Sequence, residues 1–345
     1  MNRSVVPHPW VTSFRDKIGF GLQVFPIENR DQPARHLLAA GRLAEELGFD
    51  SFWFGDHPAW ALDCWLHMAA LAVQTERIRL GVNVACAQYR HPVLTARAVA
   101  DIDNLSDGRL ILGLGVGWDE NEFGNLGLPF LPAPERLAAL EEAIAIIRGV
   151  WADEPFTFEG CYFQTRNARV TPPPRQRPGP AVLIAGGGER VTLRQVAQLG
   201  DACQISNFGM ASGATTMGDV QRKLSVLDSH LAEVGRPAES VLRTHFTGWL
   251  ILAEDEVRLE AKVRRMIPEG MDQRFSGPWR GYAVATTPGR AVEMYRELAA
   301  VGIQYFVVAT LDATDAETIH LLAEEVVPKV QAQGELRSAP TGERP

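Results

Sequence analysis

The sequence predicts a closed (β/α)8 TIM barrel with insertions. Short apolar runs recur eight times, each followed by an amphipathic helical pattern or a long loop. Such alternation gives parallel strands joined by right-handed crossovers. The eight units fill about 310 residues, the span of an α/β barrel that carries insertions. A doubly wound open sheet is the competing reading. Its dinucleotide fingerprint belongs after the first strand, where residues 25–32 contain no glycine.

Residues 18–25 (IGFGLQVF) read as a buried strand. Asp31 is placed to cap the following helix, with Pro33 in its first turn. Leu37, Ala40, Ala44 and Leu47 share one helical face, and Gly48 ends it. Next come a strand at 50–54, a helix at 63–74, a strand at 77–85, a helix at 93–105 and a strand at 109–114. A glycine-rich, acidic loop, 115–134, leads into a long helix at 135–151. The alternation pauses over 152–180, whose prolines exclude continuous helix; this reads as an excursion with a small hairpin. It resumes with a strand at 181–185, a helix at 189–199, a strand at 202–205, a helix at 219–234 and a strand at 241–252. Residues 254–285 start helical and turn irregular; a helix at 289–301, a strand at 304–309 and a helix at 316–330 complete the series. Residues 1–17 lack periodicity and read as an N-terminal extension, and 331–345 as a polar tail. Both are expected to be poorly ordered, leaving 18–330 as the barrel.

The 345 residues are 46% hydrophobic and 22% charged, enough to bury a large core without disulfides or metals. No apolar run approaches the roughly 18 residues of a membrane span. The first sixteen residues hold no apolar signal region. Cys64, Cys86, Cys161 and Cys203 are scattered, with no CxxC, which suits free thiols in a reducing cytoplasm. A net charge of −8 without a basic block argues against nucleic-acid or anionic-membrane partners.

In a barrel the active site lies at the C-terminal ends of the strands. The second strand runs into Gly55-Asp56-His57-Pro58-Ala59-Trp60, an acid and an imidazole beside a tryptophan; the plainer alternative is a loop cap and a structural histidine. After the third strand, Cys86 is a candidate nucleophile, with packing as the alternative. The fourth runs through Gly113, Gly115 and Gly117 into Trp118, Asp119, Glu120 and Glu122. Alternating glycines admit a planar ligand or a neighbouring backbone. Gly186, Gly187 and Gly188 open a helix, where free N–H groups and the macrodipole favour a phosphate; a flexible loop is the alternative. Ser206 and Asn207 at the sixth strand's end add hydroxyl and amide donors. The eight histidines show no HxH or HExxH spacing, so metal catalysis is not expected. The absence of a GxSxG elbow argues against a serine hydrolase.

Together, in order, these motifs resemble the bacterial luciferase-like superfamily of flavin- and deazaflavin-dependent oxidoreductases. The carrying residues are Gly48-Phe49-Asp50-Ser51-Phe52-Trp53 into Asp56-His57, then Thr75-Glu76-Arg77-Ile78-Arg79-Leu80-Gly81, Arg90-His91-Pro92, Leu105-Ser106-Asp107-Gly108-Arg109 through Gly117-Trp118, and the Gly186 to Gly188 loop. The resemblance covers about 18–330 and is closest to the coenzyme F420 branch. It implies F420, or alternatively FMN, at the C-terminal face. His57 is then the proton-transfer group, with Asp56 beside it. Asn83-Val84 is the aligned non-prolyl cis peptide behind the ring. Gly115 and Gly117 also line the cofactor, Gly186, Gly187, Gly188, Ser206 and Asn207 hold the phosphate, and Trp60, Trp118 and Glu122 face a small-molecule substrate. The chain departs from some members in having Trp118 directly after the fourth-strand glycines. It also has no assignable match to the lysine and arginine set that holds the sugar phosphate in the glucose-6-phosphate dehydrogenase members.

The resulting expectation is an F420-dependent oxidoreductase that moves a hydride between C5 of the deazaflavin and a small organic substrate. A deazaflavin lacks the N5 that makes oxygen chemistry easy, which suits a reductase or dehydrogenase. The alternatives are an FMN monooxygenase supplied by a separate flavin reductase, and a non-catalytic flavin-binding barrel. A homodimer is expected from apolar residues on the early barrel helices and the long helix, and from the habit of the superfamily.

Overall fold

The computed structural model describes residues 6–24, 31–206, 214, 216–267 and 283–338. The first strands are β1 (Gly19–Val24), β2 (Ser51–Phe54), β3 (Arg79–Cys86) and β4 (Leu110–Gly115). An antiparallel hairpin follows, β5 (Phe156–Glu159) and β6 (Gln164–Ala168). Then come β7 (Ala181–Ala185), β8 (Ala202–Ser206), β9 (Leu242–Leu252), a short β10 (Val284–Thr286) and β11 (Tyr305–Thr310). The order β1-β2-β3-β4-β7-β8-β9-β11 is parallel throughout, and β11 pairs back onto β1 with Gly19 opposite Tyr305. The barrel therefore closes on eight strands, and β10 adds to the far end of β9.

The helices are α1 (Pro9–Thr12), α2 (Pro33–Glu46), α3 (Cys64–Ala72), α4 (Pro92–Leu105), α5 (Glu120–Asn125), α6 (Ala133–Val150), α7 (Thr192–Leu199), α8 (Met217–Glu233), α9 (Glu256–Met266), α10 (Pro288–Ala300), α11 (Ala316–Leu321) and α12 (Val327–Ser338). Outward-facing strand residues such as Phe20, Leu22, Phe52, Leu80 and Leu112 pack beneath the helices, against Leu37, Met68, Val99 and Ile144. The hairpin is fixed to α6 by Glu142, whose carboxylate accepts the N–H groups of Cys161, Tyr162 and Phe163 at 2.7–2.9 Å.

The barrel interior holds Trp53, Ile111, Leu183, Leu242, Tyr305 and Val307. Trp53 points inward, and a Cβ at Gly21 or Gly81 would overlap its indole. Its Nε1–H donates to Ser51 Oγ, which also bonds the Tyr305 hydroxyl. A buried indole needs such a partner.

Three expectations change. Residues 6–17 are not a loose extension: Trp10, Val11 and Phe14 are buried and close the N-terminal end of the barrel. Trp10 and Phe14 meet Tyr305 edge-on, with ring centroids 5.5 and 4.8 Å away. The periodicity was invisible because the contact is made by one helical turn against the far end of the chain. The N-cap of α2 is Gln32, in a left-handed conformation and without a side-chain cap, rather than Asp31. The last helix continues past residue 331 to Ser338, through a π-helical turn at Leu322–Val326.

Removing a fully buried aromatic side chain leaves a cavity and costs about 3–5 kcal/mol. Trp10→Ala should lower the unfolding free energy by about that amount, read from urea denaturation. A loss under about 1 kcal/mol would show that the segment does not close the barrel in solution.

Candidate active site

The turn after β2 sets two neighbouring side chains in opposite environments. Asp56 is buried, and both of its oxygens accept Arg90 Nη1, at 2.9 and 2.7 Å. Its Oδ2 also accepts the Cys86 N–H at 3.2 Å, which ties the end of β2 to the end of β3. Arg90 in turn lies over the Trp65 ring, 5.7 Å from its centroid. Asp56 is thus fully engaged as an anchor.

His57 faces the mouth. Its Nδ1 lies 2.8 Å from Glu122 Oε2. The Tyr89 hydroxyl donates to the same oxygen at 2.8 Å, and the Ala59 N–H reaches Oε1 at 3.3 Å. Glu122 is only 1% exposed. Burial alone would raise its pKa, but the bonds from His57, Tyr89 and Ala59 outweigh it and hold the carboxyl below its ordinary range. Burial, and then the bond to Glu122, push the Tyr89 phenol up, so it keeps its proton. An ionised carboxylate only accepts, so His57 must donate through Nδ1–H, and the neutral ring carries its lone pair on Nε2. Trp60 stacks on the imidazole at 4.1 Å and Trp118 meets it edge-on at 5.9 Å. Trp60 remains 48% exposed.

Glu122 is delivered by the first turn of α5, where Asp119 accepts the N–H groups of Asn121 and Glu122. The loop around it is held by Arg136 on α6. That guanidinium donates to the carbonyls of Val116, Gly117 and Leu131 and lies 4.0 Å over the Phe130 ring. Gly117 adopts φ +70°, and a Cβ there would lie 2.9 Å from Cys86 Sγ. Burial pushes the Cys86 thiol up to about 12, so it stays protonated and packs.

The Asn83-Val84 peptide is cis. Gly113 and Gly115 on β4 make room for it: a Cβ on Gly113 would overlap the Val82 carbonyl, and one on Gly115 would lie 2.7 Å from Val84 Cγ2. The glycine alternation therefore serves close backbone approach. Asn83 Nδ2 donates to Gln23 Oε1 at 2.7 Å, and Gln204 Nε2 donates to Asn83 Oδ1 at 2.6 Å. This amide chain crosses from β1 to β3 to β8. Gln204 Oε1 is buried with no partner among the described residues.

On the same rim, Gly186 has φ +131° and donates its N–H to the Gln204 carbonyl at 3.2 Å. The Gly188 carbonyl accepts the Leu193 N–H at 3.0 Å, and α7 starts at Thr192. Ser206 ends β8, its carbonyl bonded to the Ala214 N–H. Asn207 lies outside the described residues. Among the described residues, no group of three His, Cys, Asp or Glu side chains could hold a metal ion, and no helix is long and apolar enough to cross a membrane.

The structure brings His57, Glu122, Trp60 and Trp118 together and sets Asn83, Val84, Gly115 and the Gly186 to Gly188 loop on the same C-terminal rim. It separates Asp56 from them. Sequence reasoning gave no role to Tyr89, Arg90, Gln23, Gln204 or Arg136. Gln23 and Gln204 did carry a signal, since each is a polar residue inside an apolar strand.

An acid–base pair on the C-terminal rim of a parallel barrel, beside a glycine-rich helix entry, defines a barrel enzyme. The model of the luciferase-like monooxygenase family matches residues 19–318, and the chain belongs to that family. It is 28% identical over 318 residues to an F420-dependent glucose-6-phosphate dehydrogenase of Intrasporangium calvum, covering 83% of this chain and 91% of the relative. Among solved structures, it resembles the coenzyme F420-dependent tetrahydromethanopterin reductase of Methanopyrus kandleri, with TM-score 0.74, 21% identity and coverage of 90% and 99%. It also resembles a monooxygenase from Streptomyces bottropensis, with TM-score 0.76, 23% identity and the same coverage. These two likenesses establish the luciferase-like barrel fold.

Because folding lowers the Glu122 pKa, its stabilising contribution is present above the unfolded carboxylate value and is lost as pH falls through the folded value. Stability should therefore fall from the ordinary carboxylate range downward, and Glu122→Gln should flatten part of that fall. Urea unfolding at a series of pH values between 7 and 3 provides the check. Parallel curves for the two proteins would remove Glu122 from the acid dependence.

Proposed function

We propose that the protein is an F420-dependent oxidoreductase that exchanges a hydride and a proton with a small organic substrate, with His57 moving the proton. The observation that carries this reading is the His57–Glu122–Tyr89 cluster, which engages Nδ1 and leaves Nε2 without a partner among the described residues. The names of the sequence relatives support the choice of F420.

The residues present fit such a cofactor. Gln204 Oε1 offers an acceptor near the rim and Gly188 offers an N–H, neither with a partner among the described residues. A bound deazaflavin would supply the hydride acceptor or donor at C5. Asn83, Val84, Gly115 and Gly117 would line the ring, and Gly186, Gly187 and Gly188, with Ser206, would hold the phosphate. His57 Nε2 takes or returns the substrate proton, and Glu122 stabilises the imidazolium that forms. Tyr89 keeps Glu122 in place as acceptor. Asp56, through Arg90 and the Cys86 N–H, positions the turn and is not itself a proton carrier. Trp60 and Trp118 wall the imidazole and face the substrate.

Binding of F420 and FMN side by side tests the cofactor. The expected dissociation constant for F420 is micromolar or tighter, about −8 kcal/mol. Much tighter FMN binding, with oxygen uptake when reduced FMN is supplied, would move the protein to the monooxygenase reading. A positioned acid–base group contributes about 10²–10⁴-fold to rate. His57→Ala should slow single-turnover hydride transfer by about that factor at equal cofactor occupancy. Unchanged turnover would leave His57 as a packing residue.

We also propose a homodimer through the outer faces of α3 and α4, where Leu66, Val73, Leu94 and Leu105 are exposed. The long helix is not part of that face, because its Leu140, Ile144, Ile147 and Val150 are buried in the core. Light scattering at tens of micromolar should give twice the chain mass, and a monomer mass would refute the assembly.

A further inference from the structure

The three-glycine loop is held from behind by one helix. Lys223 on α8 is only 4% exposed, and its Nζ donates to the Gly187 carbonyl at 2.6 Å. One residue earlier, Arg222 donates to the Glu189 carboxylate at 3.0 Å, and two turns later His230 Nε2 bonds the Glu189 carbonyl at 2.9 Å. Three side chains of α8 thus grip Gly187 and Glu189, on either side of Gly188, in a segment that glycine would otherwise leave free.

The Lys223 bond fixes an orientation. In a trans peptide the C=O and the following N–H point in opposite directions. Drawing the Gly187 carbonyl back toward α8 turns the Gly188 N–H away from α8. That N–H has no acceptor among the described residues, while the Gly186 N–H is already bonded to Gln204. The charges nearby are balanced: Lys223 and Arg222 face Glu189 and Asp219. Net charge is therefore not what Lys223 contributes.

We propose that Lys223 is a positioning residue for phosphate recognition, aiming the Gly187-Gly188 peptide so that its N–H meets the phosphate ester of the cofactor. This rests on the reading of the glycine loop as a phosphate site and names the device that presets it. Ligand affinity gained by preorganisation is lost when the aiming group is removed. Because the effect is confined to the phosphate, the ring should be bound as before.

The test uses two pairs of ligands that differ only in the phosphate: the deazaflavin 5′-monophosphate with the unphosphorylated deazaflavin, and FMN with riboflavin. Equilibrium binding is measured for the wild type and Lys223→Met, with circular dichroism confirming the fold. The expected result is that the wild type prefers the phosphorylated member of at least one pair. Lys223→Met should lose at least tenfold affinity for that member and stay within about twofold for the unphosphorylated one. If Lys223→Met does not fold, Lys223→Gln is measured in the same way. A variant that keeps the wild-type preference overturns the role of Lys223 alone. A wild type with no preference in either pair overturns the phosphate reading of the loop, and this inference with it.

Discussion

The indole of Trp53 occupies volume that neighbouring strands leave empty by carrying no side chain. Gly21 on β1 and Gly81 on β3 are bare because a Cβ at either would overlap it. A closed barrel must fill its interior or lose packing energy along every strand. Here one large aromatic, tied through Ser51 to Tyr305, does so for β1, β2, β3 and β11. The next layer toward the C-terminal end is polar: Gln23, Asn83 and Gln204 link three strands by side-chain amides. The functional rim stands on that layer. An apolar floor supplies rigidity, and the amide chain fixes Asn83 beside the Val84 that Gly115 accommodates.

Much of this architecture was legible. The eight strands are compact apolar runs of the type that parallel barrels bury on both faces, and their order follows from the alternation with helices. His57 and Glu122 could be named as candidates because both lie just past strand ends. Their contact could not be read, since they are 65 residues apart and meet only through the geometry of α5. Asp56 looked like the partner of His57 because it is adjacent in sequence. Successive residues in an extended turn point apart, and its partner is Arg90, 34 residues on. Arg136 and Lys223 left no signal, because a basic residue on an amphipathic helix reads as solvated surface. Both are buried against backbone carbonyls that sequence patterns do not record.

A division of labour runs through the site. The groups at the mouth, His57 and the two tryptophans, are few and partly exposed. Behind them stand charged side chains whose task is to hold backbone: Asp56 and Arg90 on the β2 turn, Arg136 on the loop before α6, and α8 on the glycine segment. Hydrogen bonds to charged groups are the stronger kind, so a few of them order loops that have little apolar surface of their own. Rigid support of this sort keeps reacting groups within a fraction of an ångström of a useful geometry.

The closure of the barrel's N-terminal end also has a consequence for synthesis. Trp10 and Phe14 are synthesised about 290 residues ahead of Tyr305, on which they pack, and the Phe14 carbonyl accepts Gln304 Nε2 across 290 positions of chain. At about 5–20 residues per second, their partners emerge roughly 15–60 s later. Throughout that interval both aromatics lack the Tyr305 ring, although Trp10 meets Trp53 much sooner. The nascent chain must keep them from pairing with the wrong strands or with other chains, so this end of the barrel presents apolar surface to a chaperone until the last strand is made.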